Sequence, residues 1–127
     1  MIKTQSGDAP YLVRFTNGTQ EALADVLPVK GGQGAGFGPH ELMEASLATC
    51  INMWIRMQAD QQNIPVGAIS VSVNLKRDDP NERIFEYSIS IDGTLSEQQR
   101  TILLQFADDC PVRKTLCKRI SFAPQKT

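Results

Sequence analysis

An α+β fold with antiparallel hairpins is predicted from three features of the sequence. Two pairs of short amphipathic runs are each joined by turn signals. One long, almost wholly apolar helical stretch stands between the pairs. Two shorter helical stretches close the chain, the second opened by a Cys-Pro step. The element order is ββ-α-ββ-α-α-β, and 127 residues suit a single domain spanning 1–127.

Residues 1–9 show no periodicity and read as a loosely held terminus. Tyr11, Val13 and Phe15 alternate with Leu12, Arg14 and Thr16, which predicts a strand. Asn17-Gly18 is a two-residue hairpin turn, and a return strand runs from about Gln20 to Leu27, where Pro28 stops it. The loop GGQGAGFG, Gly31 to Gly38, lacks the G-x-G-x-x-G spacing, and no Gly-Lys-Ser/Thr follows it. A helix start after glycines can bind an anion. The simpler reading is a flexible connector in which glycine lets backbones approach closely.

Between Leu42 and Met57 apolar residues cover most of the helical circumference, with Glu44, Asn52 and Arg56 as the main polar breaks. A helix apolar all round belongs in a core, and this one is too short and too interrupted to span a membrane. Pro39 suits the first turn, Glu41 and Glu44 lie near the positive end of the dipole, and Gln61, Gln62, Asn63 and Pro65 end the pattern. Roughly 24 residues rise about 36 Å, with Cys50 at mid-helix. Arg56 and Asp60 are spaced as an i, i+4 ion pair.

Ile69, Val71, Val73 and Leu75 alternate with polar residues and predict a half-buried strand. Asp78-Asp79-Pro80-Asn81 is turn chemistry. Phe85, Tyr87, Ile89 and Ile91 line one face of the return strand. Ser96 and Gln99 form a capping box, and Ile102, Leu103, Phe106 and Ala107 give a helical stripe over 97–109. Proline disfavours the α region for the residue before it, so the helix breaks at Cys110. Pro111 then opens a third helix through about Lys118, and Ile120 to Ala123 reads as a final short strand.

The net charge is −1, with no charge block, which argues against nucleic acid or an anionic membrane as partner. No apolar leader precedes the first strand, so the expected location is the cytoplasm. Three widely spaced cysteines are not a secreted disulfide framework; they suit a reducing compartment. His40 is the single histidine, and His40-Glu41 is followed by Glu44 where a zinc motif needs a second histidine. No metal and no cofactor are expected.

Each cysteine can be read as a small buried hydrophobe, Cys117 most readily because it follows Leu116. Cys110 has a further property. As N-cap of the third helix it faces the positive end of the dipole, with Arg113 and Lys114 near, and both favour thiolate. Asp108 and Asp109 oppose them, which leaves the sign of the shift open. Cys117 lies about 10 Å further along the same helix, too far for a disulfide with Cys110. An intramolecular disulfide would therefore join Cys50 to one of the other two. Arg14, between Leu12 and Thr16, reads as an exposed strand residue.

Two stretches together carry a family pattern. Gly38-Pro39-His40-Glu41-Leu42-Met43-Glu44-Ala45-Ser46-Leu47-Ala48-Thr49-Cys50 resembles the P-x-E-L-L-x-x-x-L-x-x-C helix start of the OsmC/Ohr family. Cys110-Pro111-Val112-Arg113-Lys114 resembles its second motif, C-P-V followed by a basic residue. The resemblance covers nearly the whole chain. It implies an intertwined homodimer, with long central helices wrapped by strands of both chains. It also implies reduction of hydroperoxides, preferably organic ones, with an external dithiol as reductant. By position, Cys50 would be the peroxidatic cysteine, Cys110 the resolving one, and Glu41 the carboxylate that positions an arginine, for which Arg14 is the candidate. Buried thiols are ordinarily held protonated, and such an arginine would counter that. The best-characterised branches carry the carboxylate one position earlier, where this chain has His40, so the chain resembles the third branch. Met43, Met53, Trp54 and Met57 could line an apolar peroxide pocket. The alternative implied by the same fold is a non-catalytic dimer that binds a small apolar ligand or a partner.

Overall fold

The computed structural model describes residues 1–126 as two compact units, Met1–Met43 and the chain from Glu44 onward. The first holds an antiparallel three-stranded sheet, ordered β1 (Lys3–Ser6), β2 (Val13–Thr16), β3 (Glu21–Ala24). The register runs Lys3↔Thr16 to Ser6↔Val13 and Val13↔Ala24 to Thr16↔Glu21. Strand β1 occupies the segment expected to be a loose terminus. Its four residues are all exposed, so it carries no alternation to read; its backbone ladder to β2 holds it. The β2–β3 turn is centred one residue later than Asn17-Gly18. Asn17 N–H donates to the Gln20 carbonyl (3.3 Å), and the Asn17 side-chain oxygen accepts from Thr19 N–H (2.9 Å) and Gln20 N–H (2.8 Å).

The glycine-rich loop is pinned rather than loose. Asp25 is buried, and its carboxylate accepts N–H bonds from Val26 (2.7 Å), Gln33 (3.2 Å) and Ala35 (3.0 Å). Phe37 bridges to β3 in parallel, with its N–H on the Leu23 carbonyl (3.0 Å). A Cβ at Gly36 would collide with that carbonyl oxygen, so the close backbone approach requires glycine.

Helix α1 (Pro39–Gln61) begins in the first unit and continues through the second. Within the chain it buries one stripe, not its whole circumference. Leu47, Ile51, Ile55 and Ala59, at i, i+4 spacing, are buried, while Met53 and Met57 are 58% and 52% exposed. Strands β4 (Ile69–Lys76) and β5 (Ile84–Ile91) pair antiparallel from Ile69↔Ile91 to Lys76↔Ile84. The stripe of α1, Ile64, Ile91, Leu103, Ala107 and Cys110 form one core cluster, with Ile69, Val71, Val73, Phe85 and Ile89 packed against it. Polar ties fix α1 to the sheet. Asn52 Nδ2 donates to the Ile69 carbonyl (2.8 Å), and Glu44 Oε2 accepts from Leu75 N–H (2.9 Å). Arg56, expected to pair with Asp60, directs its guanidinium to the Val66 and Gly67 carbonyls. Those acceptors would otherwise go unmet in the turn into β4.

Helix α2 (Glu97–Gln105) starts on the expected capping box, Gln99 N–H to Ser96 Oγ (3.1 Å) and Ser96 N–H to Gln99 Oε1 (3.0 Å). A 3₁₀ turn, Phe106–Asp109, continues it, and helix α3 (Pro111–Leu116) follows an extended Cys110. The order among the described residues is therefore βββ-α-ββ-α-α, with no strand at 120–123. Ile120 and Phe122 are 56% and 92% exposed. A strand needs a neighbour to complete its ladder, and this segment has none within the described chain.

Candidate functional site: two neighbouring thiols and an apolar cavity

Cys50 lies on α1 one position before the buried Ile51, so its side chain leaves the core stripe at the stripe's edge and is half-buried. Cys110 is fully buried. The Pro111 step makes it extended (φ −63°, ψ 140°) and therefore the N-cap of α3. Its sulfur accepts from Arg113 N–H (3.4 Å), a helix-start donor with no partner inside α3. The Cys50 sulfur accepts from the neighbouring Val112 N–H (3.4 Å). The first turn of α3 thus supplies one N–H to each sulfur, from adjacent residues, and so brings the two thiols close together. None of the three cysteines is joined in a disulfide.

The structure settles the sign left open for Cys110. Burial pushes its thiol above the ordinary value and outweighs the Arg113 N–H, which lowers it. The adjacent Cys50 adds to the rise, and the Val112 N–H opposes it. The flanking charges cancel in pairs instead of acting on the sulfur. Arg113 Nη1 meets Asp108 Oδ1 at 2.6 Å, and Lys114 Nζ meets Asp109 Oδ1 at 3.4 Å.

Cys50, but not the buried Cys110, lines a cavity of about 430 Å³, together with Thr49, Met53, Trp54, Met57, Pro111 and Val112 among others. Three of the four expected pocket residues, Met53, Trp54 and Met57, are there. Met43 is not in the lining; it is exposed and falls in the first unit. Cys117, read as a core thiol, is exposed at the end of α3. Helix α3 buries no residue completely, so its last residue has no core to enter.

The structure brings Cys50 and Cys110 together in the second unit. Arg14 and Glu41 belong to the first. Arg14 is exposed on β2 between its ladder partners Gln5 and Leu23. Glu41 caps the start of α1, its carboxylate accepting from Gly38 N–H (3.0 Å). Sequence reasoning missed the Val112 N–H and the Tyr87 hydroxyl, which accepts from Arg113 Nη1 (2.9 Å). The Cys-Pro cap could have pointed to the first. Nothing in the alternation of β5 marks the second. Among the described residues no cluster of His, Cys, Asp or Glu could hold a metal ion, and no helix is long and apolar enough to cross a membrane.

Fold and site together define an α+β protein with two juxtaposed thiols, one on a long helix and one at the N-cap of a short helix. The chain belongs to the OsmC-like protein family, whose model matches residues 32–124. Its fold is that of an OsmC like protein from Mycoplasma pneumoniae (TM-score 0.75, 20% identity, 91% of this chain and 85% of that one). The organic hydroperoxide resistance protein OsmC from Legionella pneumophila is also similar (TM-score 0.64, 22% identity, 92% and 88%). So is the organic hydroperoxide resistance protein OhrB of Bacillus subtilis (TM-score 0.63, 21% identity, 92% and 89%). Among curated proteins none matches significantly.

Proposed function

We propose that this protein is a thiol-dependent peroxidase that reduces organic hydroperoxides in defence against oxidative stress. The observation that carries the reading is the pair Cys50 and Cys110, each accepting an N–H from the first turn of α3, with Cys50 lining an apolar cavity. In this reading Cys50 is the peroxidatic residue. Its thiolate attacks the terminal peroxide oxygen, the O–O bond breaks, the alcohol leaves with a proton, and Cys50 becomes a sulfenic acid. Cys110 then attacks the Cys50 sulfur, the S–O bond breaks, and water leaves as the disulfide closes. An external dithiol returns both thiols by exchange. The Val112 N–H donates to the Cys50 sulfur and helps hold it in place, and Met53, Trp54 and Met57 receive the organic group. The protein works in the cytoplasm as a homodimer whose second copy covers the exposed Met53–Met57 face of α1.

A second reading is a non-catalytic dimer that binds a small apolar ligand. The observation favouring it is Glu41, whose carboxylate is engaged by the Gly38 N–H at the helix start. Stopped-flow oxidation of the reduced protein by cumene hydroperoxide and by hydrogen peroxide separates the two. Wild type is compared with Cys50→Ser and Cys110→Ser, and the disulfide is mapped by mass spectrometry. The peroxidase requires a fast Cys50–Cys110 bond and no peroxide consumption by Cys50→Ser. Reaction no faster than that of a free thiol moves the function to ligand binding.

A further inference from the structure

We propose that Tyr87, Asp108 and Arg113 form a clamp that positions Cys110 for closure on Cys50, and so sets how quickly an oxidised Cys50 is resolved. The inference rests on the two-cysteine reading above and deepens it.

Helix α3 has six residues and none is fully buried. Such a segment is too short to be stable alone. The chain enters it through an extended Cys110, where the 3₁₀ turn has ended and α3 begins. Two ion pairs span that junction, and the Lys114–Asp109 pair (3.4 Å) is the longer and has no tie to the sheet among the described residues. Asp108 lies before the cysteine and Arg113 after it, and the Oδ1–Nη1 contact of 2.6 Å crosses the junction. Tyr87 on β5 ties the pair to the sheet: its hydroxyl accepts from Arg113 Nη1 (2.9 Å) and donates to Asp108 Oδ1 (3.3 Å). Burial works against the Arg113 charge, yet Tyr87 and Asp108 outweigh it and hold the guanidinium firmly protonated.

The clamp reaches the sulfurs only through the backbone. Arg113 N–H donates to Cys110 Sγ, and Val112 N–H, one residue earlier, to Cys50 Sγ. A pivot of α3 would therefore shift both donors and part the two thiols. Arg113 and its partners are positioning residues. With the clamp closed, Cys110 stands ready when Cys50 becomes a sulfenic acid. With it open, the sulfenic acid survives longer and meets a second hydroperoxide, which oxidises it to the sulfinic acid as a second alcohol leaves.

Reduced wild type, Asp108→Asn, Arg113→Gln, Tyr87→Phe and Arg113→Lys are compared by stopped flow, followed by the fluorescence of Trp54, the single tryptophan. Cumene hydroperoxide is the oxidant. The first phase scales with peroxide and reports attack by Cys50; the second is independent of peroxide and reports disulfide closure. An exposed ion pair with a hydrogen bond supports a change of about fivefold. Asp108→Asn and Arg113→Gln should slow the second phase by that factor and slow the first by less, because Cys50 keeps its place on α1 and loses only the Val112 N–H. The yield of Cys50 sulfinic acid should rise, and Arg113→Lys should restore most of the rate. About 1 M salt screens exposed charges and should slow closure in wild type but not in Arg113→Gln. Diamide, a thiol oxidant that closes the disulfide without peroxide, provides a separate arm. Slow closure of the variants with diamide, in a protein that does not react with peroxide, keeps the clamp and removes the peroxidase. Closure at the wild-type rate in all variants, with either oxidant, overturns the clamp.

Discussion

Truncating Ile51 to alanine tests the core on which the thiol site is built. Ile51 is 0% exposed and packs in one cluster with Ile55, Leu103 and Cys110, which are equally buried. The change removes three carbons, roughly 2.5 kcal/mol of transfer free energy at about 0.8 kcal/mol each. A residual cavity of roughly 50 Å³, at about 24 cal/mol per Å³, adds about 1.2 kcal/mol. The expected loss is therefore about 3.5 kcal/mol, or about 15 °C in Tm at roughly 4 °C per kcal/mol. Urea titration followed by Trp54 fluorescence and far-ultraviolet circular dichroism measures it. A loss below about 1 kcal/mol with an unaltered m value would refute the packing described for α1. Met53→Ala is the internal contrast, because Met53 is 58% exposed. In the isolated chain its truncation should cost about 0.5 kcal/mol. A loss as large as that of Ile51→Ala, growing on dilution, means that a second copy covers this face.

Three further outcomes are expected. Burial raises the Cys110 thiol, so little of it is thiolate at neutral pH; disulfide closure should speed about tenfold per pH unit into the alkaline range, and a flat profile would remove Cys110 as the attacking thiol. The Ala35 N–H, with burial opposing and the Val26 and Gln33 N–H groups assisting, lowers the Asp25 carboxyl. Its stabilisation of the glycine-rich loop is therefore complete above the ordinary carboxylate pKa of about 3.9 and lost as pH falls through the lower folded value. Amide exchange at Gln33 and Ala35 should accelerate in that acid window and should be fast at all pH in Asp25→Ala; unchanged protection in the variant would sink the assignment. Ser96→Ala removes the capping box of α2 and should cost about 1 kcal/mol, read from the urea midpoint; no shift would show that the cap contributes nothing to stability.

Local chemistry determined much of this protein in advance. The period of Ile69–Leu75, the Ser96/Gln99 box, Pro39 at a helix start and the Cys110-Pro111 break each act within a few residues, so they can be read without a fold. The OsmC-like resemblance rested on the same local motifs and is met by the family match over residues 32–124. What the sequence could not supply was distance. The β1 ladder is made by backbone groups that every residue carries, so KTQS gave no sign of it. The burial of Asp25 is decided by N–H groups eight and ten residues away. Ile120 and Phe122 read as a strand, yet a strand exists only where a partner meets it. The alternation of β5 grouped Tyr87 with Phe85 and Ile89, while its hydroxyl reaches across to Asp108 and Arg113. Whether Cys110 would be pushed toward thiolate or thiol turned on burial against dipole, and only packing determines burial. Tertiary structure alone brought Cys50 and Cys110 to one place, because the proximity of residues far apart in sequence is a property of the folded chain.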